Sequence, residues 1–331
     1  MGMTINMWIF VATFSYFLNA GVHVADKFLL SKKIHSSIVY AFYVGIWSIG
    51  NFALLALNPF VPSSYQLFLD LLAGFLFLFT LVFWYKALHQ SEATRVVPIV
   101  GALTPVFSFL FSFMFLGAKL SIQELAAFII LIIGGLLISI KRTRLHVFVE
   151  VRERVKNIWG NSLGKISAEI RPTRRLIFNS LMAAAAFAAY YVFIKYIYSH
   201  TGQPFIGAFV WSRLGSFLGV LSILLVPSWR KLIKDSKTHE HRKPSQLAFF
   251  FGVRLAAAAA FIMLNWAVSL SNNVSLINAL QGVQYVFLLL LVLLLVKKYP
   301  GIMDEELGRG VMMQKILGVV LVMLGLYLLV I

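Results

Sequence analysis

Residues 83–139 read FWYKALHQSEATRVVPIVGALTPVFSFLFSFMFLGAKLSIQELAAFIILIIGGLLIS. One apolar helix ends here, a polar turn follows at Gln90–Glu92, and a second apolar helix carries Pro98 and Pro105. A basic break at Gly117–Lys119 leads into a third apolar helix with Gly134-Gly135. Each run is close to the roughly 20 residues that cross a bilayer core of about 30 Å. A related pattern recurs further on. Ala87-Leu88 aligns with Ala267-Val268, Ser91 with Ser271, Val106-Phe107 with Val286-Phe287 and Leu110 with Leu290. Past an extra loop, Gln123 aligns with Gln314 and Gly134 with Gly325, each glutamine eleven residues before its glycine. The chain reads as a duplicated membrane unit.

Composition agrees. Of 331 residues, 60% are hydrophobic and 12% charged, and the mean hydropathy is +0.86. A water-soluble fold of this size has no room to hide so much apolar surface. The expected architecture is an all-α polytopic membrane protein with ten spans, at 6–25, 37–57, 67–89, 93–116, 120–140, 177–199, 205–226, 247–270, 274–296 and 312–331. The first reads as a span and not as a cleavable signal peptide, because it lacks a basic leader and a small-residue cleavage site. There is no cysteine, which excludes disulfides and thiol chemistry. The histidines lack metal-ligand spacing, and no nucleotide-binding or hydrolase motif occurs. No enzyme activity, metal or cofactor is expected.

The net charge of +17 is distributed by topology. Of the 29 lysines and arginines, 25 fall in or beside the odd-numbered connections and Lys119 alone on the opposite side; Lys195, Arg213 and Arg254 lie within spans. That bias predicts odd connections in the cytoplasm and both termini outside, in an inner membrane. The charge then serves topology and anionic lipid, not nucleic acid. Five spans per half make the second repeat inverted relative to the first, an arrangement found in many secondary transporters. Three units are expected: 1–140, a basic cytoplasmic linker at 141–176, and 177–331. In the linker, Phe148, Val151, Val155, Ile158 and Trp159 recur at helical spacing among basic residues, which suggests a helix on the membrane surface.

The 83–139 run and the inverted five-plus-five plan resemble EamA-like members of the drug/metabolite transporter superfamily. The likeness covers most of the chain, strongest over 83–139 and moderate over 264–331. Two departures stand out: Ala118 follows Leu116-Gly117 where the family usually has an acid, and Tyr285 replaces the second-half counterpart of Pro105. The resemblance implies a secondary transporter. Eukaryotic relatives commonly keep both termini in the cytosol, the opposite of the charge-derived orientation.

Polar residues within spans are the candidate site. Asn278, Gln281 and Tyr285 share one helical face, with Gln284 beside them; they either line a cavity or join helices by hydrogen bonds. Their first-half counterparts include Pro98 and Pro105, expected to kink the fourth span. Arg213 lies roughly 12–13 Å into span seven with no mid-membrane acid to neutralise it. It fits an anionic guest or a ring of carbonyls, or else snorkels or stacks on Trp211 or tyrosines. Tyr16, Asn19, Trp47 and Tyr190 complete the candidate substrate-binding set; Trp47 equally fits a lipid-facing position. The expected function is export of a small polar or amphipathic metabolite by alternating access. The alternative is a membrane scaffold that keeps the fold without transport. Substrate, coupling ion and oligomeric state leave no mark in the sequence.

Overall fold

The computed structural model describes residues 2–33, 39, 42, 45–90, 93–139, 174–236, 244–296 and 309–330. In order, the elements are α1 (Gly2–Lys33), a 3-10 helix (Trp47–Ala56), α2 (Ser64–Gln90), α3 (Ala93–Leu116), α4 (Ile122–Ser139) and α5 (Arg174–His200). There follow α6 (Phe205–Ile223), α7 (Pro227–Ser236), α8 (Pro244–Leu270), α9 (Val274–Ala279), α10 (Gln281–Val296) and α11 (Arg309–Val330). No strand occurs among the described residues. Eight of the helical stretches are long and apolar enough to cross a membrane, which fits a multi-pass integral membrane protein. The other two expected spans coincide with shorter apolar helices, Trp47–Ala56 and Ile122–Ile138. The surface helix expected around 148–159 lies outside the described residues.

Helix starts follow local chemistry. At the head of α2, Ser63 N–H donates to Gln66 Oε1 (2.8 Å) while Gln66 N–H donates to Ser63 Oγ (3.4 Å). The same reciprocal box opens α4, through Ser121 and Glu124 (2.8 and 3.1 Å). Each box satisfies two N–H groups that a helix start otherwise leaves unpaired. Gly117 closes α3 at φ 63, a left-handed conformation that costs glycine little. Span two departs from the expected α-helix. Ser48 Oγ donates to the Gly45 carbonyl (2.5 Å) and Asn51 Nδ2 to the Ser48 carbonyl (2.9 Å). Three-residue back-bonds of this kind, around Gly50, favour the tighter helix.

Two further differences from the sequence reading matter. The expected single helix 274–296 is broken at Leu280, between α9 and α10. The fourth span is one helix from Ala93 to Leu116 that contains both Pro98 and Pro105. After span seven, where only a basic loop was expected, the ten-residue helix α7 packs Ile233 and Trp229 against Val220 and Ile223.

Packing places α1 against α8 and α10, and α5 against α2 and α3. α2 also crosses α6, and α4 crosses α11. At the α2–α6 crossing a Cβ on Gly74 would meet the Ser212 carbonyl, and one on Gly215 would meet that of Leu71. Only glycine permits such an approach, and Ser216 Oγ donates across it to the Gly74 carbonyl (3.1 Å). Gly215 and Gly219 thus act as the close-packing pair that their spacing suggests. The α4–α11 crossing is reciprocal. Gln123 Nε2 donates to the Leu328 carbonyl (2.7 Å), and Gln314 Nε2 to that of Leu137 (2.8 Å). Leu137 and Leu328 each stand fourteen residues after Gln123 and Gln314 respectively. Between these bonds a Cβ on Gly134 would stand 2.9 Å from the Gly318 carbonyl oxygen, and one on Gly325 3.3 Å from that of Ala127.

Candidate functional site

Two groups of buried polar side chains are joined by tyrosines. The first lies among α2, α5, α6 and α8. Arg213, on α6, is 3% exposed, and its Nη2 donates to the Tyr190 hydroxyl (2.8 Å). That hydroxyl donates onward to Asn265 Oδ1 (3.0 Å), which also receives the Tyr198 hydroxyl (3.4 Å). Asn265 Nδ2 is satisfied by the Phe261 carbonyl (3.0 Å). The guanidinium carbon lies 4.5 Å from the Phe77 ring centroid, 4.8 Å from Phe261, 5.4 Å from Phe209 and 5.6 Å from Tyr190. Such a box attracts a cation through the negative faces of its rings. Among the described residues no carboxylate pairs with Arg213, and its Nε has no hydrogen-bond partner. Arg213 is therefore neither snorkelling nor stacked on Trp211, whose Nε1 instead donates to the Phe60 carbonyl (3.0 Å).

The second group surrounds the break in span nine. Tyr16 on α1 donates to the Ile277 carbonyl (2.9 Å), one turn before Leu280. That carbonyl is where an unbroken helix would accept the Gln281 N–H. Asn278 Nδ2 donates to Ser108 Oγ on α3 (2.7 Å), so in this conformation it joins helices. Tyr285 is buried with its hydroxyl against Gly101, one turn before Pro105. Pro105 has no N–H for the Gly101 carbonyl, and Gly101 leaves room for the phenol. Gln284 is buried and Gln281 half-buried, its Oε1 on the same side as Gly101. The space bounded by Gly101, Pro105, Gly135, Gly282 and Tyr285 amounts to ≈ 10 Å³, about one water. Tyr16 lies near Tyr191 and Tyr285, and Tyr191 packs on Tyr190 at 5.1 Å between centroids. A line of tyrosines thus connects the two groups.

Two candidate residues fall elsewhere. Trp47 is 43% exposed and packs edge-on against Phe251 (5.2 Å), which matches its lipid-facing alternative. Asn19 is half-buried on α1. Pro98 sits in the backbone of α3. Lys195 donates to the Ser269 carbonyl (3.2 Å) and stays close to a helix end.

The structure adds residues that the sequence reading passed over: Asn265, Tyr198, Ser108, Gln203 and Asp70. Asp70 lies near the start of the expected span 67–89, where an acid is ordinarily solvated, yet it is fully buried. One signal could have found it. Asp70 precedes Gly74 by four residues and so shares the helix face of a small-residue crossing, which faces protein and not lipid.

The two ends of the bundle differ. At the end holding connections 57–63, 117–121, 201–204 and 271–273, the loops interlock. Gln66 Nε2 donates to the Thr201 carbonyl (2.9 Å) and Asn273 Nδ2 to that of Lys119 (3.4 Å). At the opposite, basic end a groove of ≈ 360 Å³ opens between α1, α8 and α10. Its lining is apolar and includes Phe17, Gly21, Val22, Gly252 and Val253. A Cβ on Gly21 or Gly252 would meet nothing within 4 Å.

No protein-family model matches the chain, and no curated protein does. Among solved structures 24 chains match. One, described only as "Crystal structure of protein", superposes with a TM-score of 0.60 at 14% identity, over 98% of this chain and 96% of that one. At that identity the likeness concerns the fold alone.

Proposed function

We propose that this chain is a ten-span secondary transporter of the EamA-like type, built from two inverted five-helix repeats. It exports a small polar or amphipathic metabolite by alternating access, with its basic connections in the cytoplasm. The observation that carries this reading is the self-consistency of the helix pairings. Exchanging the first five spans for the last five converts the α1–α8 contact into α5–α2, and α1–α10 into α5–α3. The same exchange turns the α4–α11 crossing onto itself, Gln123–Leu328 becoming Gln314–Leu137. Inverted halves related in this way are the structural basis of alternating access.

The sealed short-loop end and the groove at the basic end support a state closed on one side and loosened on the other. The break at Leu280 adds a second argument: discontinuous helices near the repeat axis hold substrate in many transporters. Around that break the amides and tyrosines offer neutral donors and acceptors, and Arg213 in its ring box offers the one buried cation of the first polar group. A substrate with an anionic group and an apolar body suits that combination.

The test is solute flux in proteoliposomes, after a thermal-shift screen of amino acids, nucleosides and amphipathic anions has selected ligands that raise the melting temperature. Ligand-dependent flux, lost in Arg213→Met protein of normal abundance, supports the reading. A folded protein that carries none of the stabilising ligands would sink it in favour of the scaffold alternative.

A further inference from the structure

The buried carboxylate of Asp70 takes no part in the two polar groups above. It sits in the second turn of α2, beneath connection 201–204, and its Oδ1 accepts a bond from Gln203 Nε2 (3.4 Å). Asp70 Oδ2 is buried with no hydrogen-bond partner, and so is Oε1 of the same Gln203. Gln203 itself is 7% exposed. Among the described residues no lysine or arginine pairs with the carboxylate. The titratable groups on the helices packed against this part of α2 are Tyr190, Lys195, Tyr196, Tyr198 and His200 of α5 and Arg213 of α6, and Tyr65 on α2 itself bonds to Tyr196. Tyr198 lies near both Asp70 and Arg213. Lys195 is engaged with Ser269, the His200 ring stacks on Tyr196 at an exposed position, and Arg213 is held by Tyr190 and its ring box.

Two acceptors without donors, one on each member of a hydrogen-bonded carboxyl–amide pair, are what such a pair shows when one hydrogen is unaccounted for. A neutral carboxylic acid and a primary amide can pair cyclically. The amide N–H donates to one carboxyl oxygen, and the carboxyl O–H donates to the amide oxygen. The first of those bonds is present. The second would join the two atoms left without partners. A hard metal cation would want about six oxygens, whereas one proton satisfies this pair. An ionised carboxylate here would be buried without a counter-charge, which is costly.

We propose that Asp70 and Gln203 form a proton-binding site that is occupied while the short-loop end is closed. In that state Asp70 Oδ2 carries a proton and donates it to Gln203 Oε1. When connection 201–204 lifts and water reaches the pair, the carboxyl gives its proton to water and remains as a solvated carboxylate. A proton that binds one state better shifts the population toward it, so acidification closes this end. The inference rests on the transport reading only for its consequence, that a proton gradient could drive the cycle; the site itself needs no substrate.

The test uses the full chain in liposomes and requires no flux. Infrared spectra of wild type and Asp70→Asn at neutral pH should differ by one buried neutral-carboxyl C=O band. Asp70→Asn keeps a donor in place of the O–H and so imitates the occupied site. In a chain without native cysteine, Thr201→Cys then reports opening through its rate of reaction with an impermeant maleimide. The ratio of rates in wild-type and Asp70→Asn backgrounds cancels the ionisation of the thiol. That ratio should be near one at about pH 5 and rise at least about tenfold by about pH 9. A ratio of one at every pH, absence of the C=O difference, or a ratio that responds to sodium but not to pH would overturn the proposal. Absence of flux alongside the expected band and ratio would count against transport alone and leave the proton site standing.

Discussion

Replacing Arg213 by methionine and Tyr190 by phenylalanine, singly and together, measures the latch at the centre of the first polar group. Arg213→Met removes a charge-assisted hydrogen bond of about 1.5–3 kcal/mol and a desolvated cation–π contact of about 2 kcal/mol. It also ends the burial of a guanidinium, which costs about 2.5–3.5 kcal/mol at a helix centre on the insertion scale. The terms nearly cancel. Because the Tyr190 hydroxyl keeps its donor role toward Asn265, no buried donor is orphaned. The expected change in unfolding free energy is therefore within about 2 kcal/mol. Tyr190→Phe brings no such relief. It leaves the guanidinium buried without its acceptor and should cost about 1.5–3 kcal/mol. In the double variant that penalty disappears, giving a coupling energy of about 1.5–3 kcal/mol by denaturant unfolding in detergent. A coupling below about 0.5 kcal/mol, or a Tyr190→Phe protein as stable as wild type, would refute the argument that the charge depends on this hydroxyl. Flux per folded molecule separates a second question. If Arg213 meets an anionic substrate group, Arg213→Met abolishes flux and Arg213→Lys restores only part of it, since an ammonium lacks the planar fork. Unchanged flux removes Arg213 from the site.

The reciprocal crossing predicts that Gln123→Leu and Gln314→Leu each cost about 0.6–1.7 kcal/mol, equal within error; a large inequality in their melting temperatures would argue against pseudo-symmetric roles. Gly134→Leu would drive a side chain into the Gly318 backbone and should lower stability by about 1–3 kcal/mol or more, visible as loss of folded protein in size-exclusion profiles. Gly21→Ala and Gly252→Ala point into empty space and should be neutral or raise the melting temperature, since alanine is favoured over glycine in a helix by about 1 kcal/mol. For orientation, Ser236→Cys should resist an impermeant maleimide in intact cells while Val61→Cys, at the opposite end, reacts; the reverse pattern would invert the assigned topology.

Much of the fold was legible because bilayer physics writes it coarsely. Runs of about 20 apolar residues must be helices, and the glutamine–glycine spacing shared by 123–134 and 314–325 matched two helices that the structure brings together, α4 and α11. What the sequence hid were features decided by tertiary neighbours. The break at Leu280 carries no proline or glycine at its centre; it is accompanied by a bond from Tyr16, 261 residues away in the chain, to the Ile277 carbonyl. The prolines, which do announce themselves, sit in a helix that runs on past them. Asp70 illustrates the same limit. Near a span end an acid is ordinarily solvated, and only the cover supplied by Gln203 and connection 201–204 makes it a buried group. Arg213 stood out as a charge without an acid, but its box is drawn from α2, α5, α6 and α8, and no single-helix periodicity reveals four rings converging on one point.

The asymmetry between the ends follows from those same residues once the halves are aligned. Under the proposed repeat, Lys27 matches Lys195 near the end of the first span of each half, which would pair Val22 with Tyr190, five residues before each lysine. Tyr190 lies in the short-loop half of α5, bonded to Arg213 and Asn265, whereas Val22 lines the groove at the basic end. Under that pairing, matching positions carry a polar latch on one side and a plain apolar wall on the other. A latch of directional bonds has a defined closed geometry and a cost of opening. Under the transport reading, the energetically distinctive step of the cycle is then the opening of the short-loop end, where substrate charge at Arg213 and a proton at Asp70 would both bear on the same four helices.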